Sequence, residues 1–162
     1  MLDIVMYGDP ILERKADPVT EFGTGIEVLV EEMFDAMKRD HGIGLAAPQV
    51  SVSKRIFVVE ADGDKKRVFI NPEIIMTSPE IAEYEEGCLS FPGLYFMVKR
   101  PASLRIQAFN EKGKPFVLEA DGLLARVILH ENDHLDGKLF VDRITPLKKE
   151  RALLHYGKML KM

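Results

Sequence analysis

The chain has 162 residues, 46% of them hydrophobic, so residues 1–162 are expected to form a single compact domain. Twenty-two basic against 26 acidic side chains leave a formal charge of −4, which speaks against general affinity for DNA or other nucleic acids. No apolar stretch approaches the roughly 20 residues a membrane span needs, and the start Met1–Pro10 carries an acid and a glycine where a secretory leader would be basic and apolar. The expected compartment is the cytoplasm.

In chain order, Asp9-Pro10 and Asp17-Pro18 punctuate an irregular N-terminal segment. Ile26, Leu29, Val30, Met33 and Met37 recur three and four apart, which predicts a helix from Gly25 to about Arg39. The small-residue stretch from Gly42 to Gln49 reads as a loop or strand edge. Strands are expected at Arg55–Glu60, Arg67–Asn71 and Ile74–Thr77, with Asp62-Gly63-Asp64 as the turn between the first two. Ile81–Ser90 leads into a predicted turn at Phe91-Pro92-Gly93. Strands then follow at Tyr95–Arg100, Leu104–Phe109 and Pro115–Glu119, the last two joined at Glu111-Lys112-Gly113.

A second helix is expected from about Gly122 to Asp136, capped by Asp121 and stopped by Gly137. Its apolar residues Leu123, Leu124, Val127, Ile128 and Leu135 cover much of the cylinder, which predicts burial. Thr145-Pro146 opens a third helix that runs to the C-terminus. Strands in runs with helices set apart predict an α+β fold: antiparallel β-sheets packed around a central buried helix, with one helix toward each terminus.

His130-Glu131-Asn132-Asp133-His134, an HExxH pattern, lies on that central helix. Residues four apart project within about 40° of each other, so both imidazoles face one point in space. Glu131 reaches the same side, where a general base must stand to take a proton from water. The plainer alternative, two helix-face histidines with ordinary hydrogen bonds, is costly on a buried helix. A third ligand is needed. The extended pattern HExxHxxGxxH matches Gly137 but ends on Phe140, which cannot ligate, and a glutamate roughly 20 residues downstream finds only Glu150, which comes too early. The single cysteine, Cys88, remains. A thiolate with two imidazoles and an open fourth position is an accepted catalytic arrangement.

Three segments, Gly42-Ile-Gly-Leu-Ala-Ala-Pro-Gln49, Glu86-Gly-Cys-Leu-Ser90 and His130-Glu-Asn-Asp-His134, resemble in order the three motifs of the peptide deformylases. Tyr7–Leu12 and the Gly113–Gly122 approach to the second helix are also similar. The resemblance implies removal of the formyl group from the N-formylmethionine of nascent polypeptides. It implies Cys88, His130 and His134 as metal ligands, a metal-bound hydroxide that attacks the formyl carbon, and Glu131 as general base and then acid. It implies oxyanion donors at the Leu89 backbone N–H and the Gln49 side chain, and main-chain substrate contacts at Ile43, Gly44 and Gly87. Glycines at 42, 44 and 87 would let a substrate backbone approach as an added strand. Ile43, Leu123, Val127 and the edge of His130 are candidate walls for the methionine side chain. The donor types suit several ions; the resemblance implies Fe²⁺, with Zn²⁺, Ni²⁺ or Co²⁺ able to replace it.

Other residues read more plainly. His41 and His155 are expected at the surface. Asp133 could support a ligand with Arg100 as partner, or form a simple surface ion pair. Lys148, Arg151, His155 and Lys158 make a basic stripe on the last helix, opposite an apolar set with Leu153, Tyr156 and Leu160. The stripe is either a solvated face or a ribosome-docking face. Leu129, Ser51 and Tyr95 depart from common residues of the family, where Gln, Gly and, in some members, Arg stand. Two other readings stay open: an HExxH metallopeptidase with another third ligand, and a non-catalytic module with a structural metal, which would close its site with a fourth protein ligand.

Overall fold

The computed structural model describes all residues, 1–162. The helices are α1 (Thr24–Arg39), α2 (Gly122–Leu135) and α3 (Pro146–Met159). The strands are β1 (Gly44–Ala46), β2 (Ile56–Val59), β3 (Arg67–Thr77), β4 (Ile81–Cys88), β5 (Phe91–Pro101), β6 (Ser103–Phe109) and β7 (Pro115–Asp121). Five strands form one antiparallel sheet in the order β1-β2-β3-β6-β7, while β4 and β5 form a separate antiparallel hairpin. No helix is long and apolar enough to cross a membrane.

Strand β2 explains the layering. Its four residues are all buried, and alternate side chains point to opposite faces of the sheet. Ile56 and Val58 pack with α1 through Val30, Met33 and Met37. Phe57 and Val59 pack on the other face with Ala125 and Ile128 of α2, beside Phe69 and Ile106. Helix α2 thus lies over the sheet with its apolar stripe, and its remaining buried residues are Arg126, His130, Glu131, Asp133 and His134. Arg126, His130, Asp133 and His134 reach the β4–β5 hairpin, which closes the other side. The helix ends where Gly137 takes φ 72° and its N–H bonds the His134 carbonyl. A Cβ there would lie 2.7 Å from the Glu13 carbonyl group, so glycine is required by space as well as by conformation.

A third core joins the hairpin to the C-terminal segment. Phe91, Leu94 and Val98 of β5 pack with Leu139, Phe140 and Tyr156. The Tyr156 ring meets Phe91 edge-on at 5.3 Å and anchors α3. Thr145 Oγ1 caps that helix by accepting from the Lys148 N–H at 3.2 Å, with Pro146 in the first turn.

The α+β class, the three helices and the antiparallel pairing match the sequence reading; several local features differ. The reversal between β4 and β5 falls at Leu89-Ser90, not at Phe91-Pro92-Gly93. Cys88 stands opposite Phe91 and Gly87 opposite Tyr95, so Pro92, Gly93 and Leu94 form a bulge inside β5. The two strands expected at Arg67–Asn71 and Ile74–Thr77 are one, β3, with an irregular register where Asn71 takes φ 50°. The Asn71 side chain bonds both the N–H and the carbonyl of Val19, which stabilises a conformation asparagine tolerates. Gly42–Gln49 contains the short strand β1 and then a 3₁₀ turn, Ala47–Val50. Asp121 precedes α2 but its side chain caps nothing. Helix α3 stops at Met159, and Leu160, expected on its apolar side, is exposed. Leu123, expected to be buried with the rest of the helix, is 57% exposed.

Ser51, at the end of that 3₁₀ turn, has φ 65°. A left-handed conformation costs an L-residue about 1 kcal/mol that glycine does not incur. Ser51→Gly is expected to raise the unfolding free energy by about 0.5–1 kcal/mol, read as a higher urea midpoint at unchanged slope.

Candidate functional site

The structure brings Cys88, from the end of β4, against the two histidines of α2. One ligand atom from each of Cys88, His130 and His134 lies within 4.8 Å of the other two. Cys88 Sγ and His134 Nε2 are 3.5 Å apart. A tetrahedral ion with a sulfur at ~2.3 Å and a nitrogen at ~2.1 Å would place them about 3.6 Å apart, so the pair already has the spacing of two ligands on one cation. His130 Nδ1 is 2.9 Å from Glu86 Oε1. That bond leaves Nε2 with its lone pair free to ligate. His134 Nδ1 is buried without a partner.

Burial, aided by the charge of His130, pushes His134 down to about 3, so it stands neutral as a ligand must. His130 behaves oppositely in the metal-free protein. Burial disfavours its charge, but the Cys88 sulfur and the Glu86 carboxylate outweigh that and raise it to about 10. A cation held here would have to displace a proton from His130. No fourth His, Cys, Asp or Glu joins the cluster, and Glu150 lies exposed on α3. The donor set fits a metal with an open position and does not fit a closed structural site.

Glu131 is buried beside the ligands, with Oε1 unpaired. A Cβ on Gly44 would lie 2.7 Å from Glu131 Oε2, so the glycine lets β1 pass directly over the carboxylate. Burial raises Glu131 to about 7, against the opposing charge of His130. The amide of Gln49 is fixed at both ends. Its Oε1 accepts from the Ala46 N–H at 2.9 Å, and its Nε2 donates to Ser90 Oγ at 3.1 Å and approaches Cys88 Sγ at 3.6 Å. The backbone donor on Oε1 settles which end is nitrogen, and that nitrogen faces the ligands.

A cleft of about 700 Å³ opens over this cluster. Ile43, Gly44 and Gln49 line one side, Gly87, Cys88 and Leu89 the other, and Leu123, Val127, His130 and Glu131 the floor. His134 lies below the floor. Strand β1 is an edge of the five-stranded sheet, so its free side is available to an added strand. Tyr95, 63% exposed, lines the cleft and leans over Gly87, where its ring would clash with any Cβ. His41 is exposed at the rim, and His155 is exposed on α3 well outside it.

Behind the histidines lies a buried ionic network that the sequence reading touched only at Asp133 and Arg100. Glu86 accepts from Arg100 Nε and Nη2 at 2.6 and 3.0 Å, and also from Arg126. Arg100 Nη1 reaches Asp133 Oδ2 at 2.9 Å, and Arg143 binds the same carboxylate through two nitrogens. Asp133 is therefore buried between two arginines rather than part of a surface pair. Glu86, Ser90, Arg126 and Arg143 had no assigned role. The signals were present for two of them: Glu86 is two residues before Cys88 on a strand, and Arg126 one turn before His130 on a buried helix.

Comparison with known proteins decides the family. A family model described as "Polypeptide deformylase" matches residues 1–150. The chain belongs to the peptide deformylase family. It is 48% identical over 153 residues to a peptide deformylase of Cellvibrio japonicus, covering 93% of this chain and 90% of that protein. Its fold matches crystal structures of the peptide deformylases from Legionella pneumophila (TM-score 0.93, 40% identity, 99% of this chain and 96% of that one) and Thermus thermophilus (TM-score 0.91, 44% identity, 96% and 92%). Peptide deformylases are metal-dependent enzymes that remove the N-formyl group from nascent peptides, and the three-residue cluster here is a group that could hold a metal ion.

Glu86 shows how the network is coupled to stability. Burial opposes its charge, but hydrogen bonds from His130 and Arg100 hold the carboxyl at about 2 against an ordinary 4.5. A depressed carboxyl contributes stability that is complete above pH 4.5 and is lost as pH falls toward 2. The difference corresponds to about 3 kcal/mol. In chelator-treated protein, urea midpoints are expected to drop through that acid range. Glu86→Gln, which strands two buried guanidiniums, is expected to cost about 3–5 kcal/mol at pH 7 and to flatten the acid limb.

Proposed function

We propose that Cys88, His130 and His134 hold a single divalent cation and that Glu131 is the general base and acid of the deformylation. The observation that carries this reading is the position of Glu131: buried, with one oxygen unpaired, beside the ligand cluster at the floor of the cleft. Ferrous iron is the proposed ion on the strength of the family resemblance; Zn²⁺, Ni²⁺ and Co²⁺ suit the same donors. A cation there supplies Lewis acidity and a source of hydroxide near neutral pH.

The chain's own groups do the rest. Glu131 takes a proton from the attacking water and hands it to the amine nitrogen as the C–N bond of the formamide breaks. A carboxylate buried beside the ligand cluster with one oxygen unpaired is placed to make both transfers. Gln49 Nε2 and the Leu89 N–H donate to the formyl oxygen as it gains negative charge. The substrate backbone pairs with the chain at Ile43, Gly44 and Gly87. The methionine side chain lies against Ile43, Leu123 and Val127. Leu123 is exposed in the empty cleft and would be covered by that side chain. Residues 1–162 act as one catalytic domain, in the cytoplasm, where formylated nascent peptides arise.

Glu131→Gln is expected to retain metal while lowering kcat about 10²–10⁴-fold on a formyl-Met peptide. Gln49→Leu should lower kcat by about 10²–10³ with little change in metal content. Cys88→Ser should lose iron or change its retention markedly, measured by metal analysis of anaerobically prepared protein. Normal metal content and activity in Cys88→Ser would overturn the ligand assignment.

The exposed stripe Lys148, Arg151, His155 and Lys158 on α3 supports direct ribosome docking as a second proposal. Neutralising Lys148, Arg151 and Lys158 together is expected to weaken ribosome binding and reduce its salt dependence, leaving turnover of a free formyl peptide unchanged. Binding that is unaltered by the triple change would end that idea.

A further inference from the structure

The ligands come from two separate pieces of the fold. Cys88 ends a strand of the β4–β5 hairpin, while His130 and His134 sit on α2, which packs against the five-stranded sheet. The hairpin shares no ladder with that sheet, so something else must fix the distance from the sulfur to the imidazoles. Arg126 has the required connections. Its side chain starts on α2 one turn before His130 and is 6% exposed. Nη1 donates to the Val98 carbonyl on β5 at 3.0 Å and to the Glu86 carboxylate on β4. Nη2 donates to the Ala82 carbonyl on β4 at 2.8 Å. The guanidinium also lies 5.2 Å from the centre of the Tyr84 ring, again on β4.

One side chain thus ties both hairpin strands to the histidine helix and holds the carboxylate that orients His130. Arg100 runs the other way, from β5 to Asp133 on α2, so the joint is pinned by two arginines pointing in opposite directions. Arg126 also lines the cleft, but both Nη1 hydrogens and one Nη2 hydrogen are directed at the hairpin.

We propose that Arg126 is a positioning residue for the metal centre, acting through the hairpin and Glu86 to set the separation of Cys88 from His130 and His134. The proposal rests on the ligand assignment above. Lysine cannot replace it, because a single ammonium cannot span two carbonyls and a carboxylate in these directions. Arg55 provides the control. It anchors the far end of the same helix, donating to the Leu135 carbonyl at 2.8 Å and to Asp136 at 2.9 Å, without touching the hairpin.

The test uses Co²⁺-loaded wild type, Arg126→Met, Arg126→Lys and Arg55→Met, each transferred into excess chelator, with the thiolate-to-cobalt absorption followed as the ion leaves. Release from Arg126→Met is expected to be about tenfold faster than from wild type, the scale typical of groups that orient metal ligands. Arg126→Lys should fall between the two, with a weaker charge-transfer band in both. Arg55→Met is expected to release the ion at the wild-type rate, even with a comparable loss of Tm. If Arg126→Met does not fold, Arg126→Lys decides alone. Release no faster than from Arg55→Met overturns the proposal. Cys88→Ser, run in parallel, separates the two readings: an unchanged cobalt spectrum there would remove the ligand assignment itself, whatever the Arg126 variants do.

Discussion

The site depends on one buried carboxylate. Glu86 accepts from His130, Arg100 and Arg126 at once, two of them on α2 and one on β5. Burying ions is expensive, and a buried pair often contributes little net stability compared with apolar packing of the same shape. Removing one partner is far worse, because the remaining charges have neither water nor a counter-ion. A network of this kind therefore does not so much stabilise the fold as exclude alternatives to it. The hairpin can dock on α2 in only one register if every donor and acceptor is to be satisfied.

That selection matters because the two halves of the site have different supports. The histidine helix packs on the large sheet through Ala125, Ile128 and Leu135, an apolar contact that tolerates small shifts. The cysteine hairpin packs on the C-terminal segment through Phe91, Val98 and Phe140, which is equally apolar. Neither contact has directional bonds that could set a sulfur-to-nitrogen distance to a few tenths of an ångström. The directional bonds lie between them, in the arginine–carboxylate layer behind the histidines and in Gln49, which donates to Ser90 and approaches Cys88.

Polar satisfaction is distributed unevenly across the site. Behind the histidines, Glu86, Asp133, Arg100 and Arg126 are bonded on several sides. On the cleft side, one Glu131 oxygen has no partner, and Gly44 passes so close over that side chain that no Cβ would fit between them. Unpaired buried groups cost stability, and here they occur where a reacting substrate and solvent would meet the protein. Rigid support on one face and unmet bonding capacity on the other is the arrangement that preorganised catalysis requires.

Much was legible in the chain alone because it depends on local period. Four-residue spacing puts His130 and His134 on one helix face wherever the helix goes, and Gly137, Thr145-Pro146 and the apolar repeat of α1 end or begin their helices through backbone rules that need no partner. The reversal at Leu89-Ser90 was not legible: Phe91-Pro92-Gly93 has better turn chemistry, but Phe91 is needed in the third core, so β5 begins there and the glycine is absorbed as a bulge. Asn71 likewise keeps β3 unbroken only because Val19, 52 residues away, supplies both its hydrogen-bond partners. Spacing could name Cys88 as a ligand candidate without bringing it near His134, and it could not distinguish Arg126 as a tie between two layers from an ordinary charged helix residue. Those facts depend on which segments meet in space, and that is decided by burial and by the directions of hydrogen bonds between elements far apart in the chain.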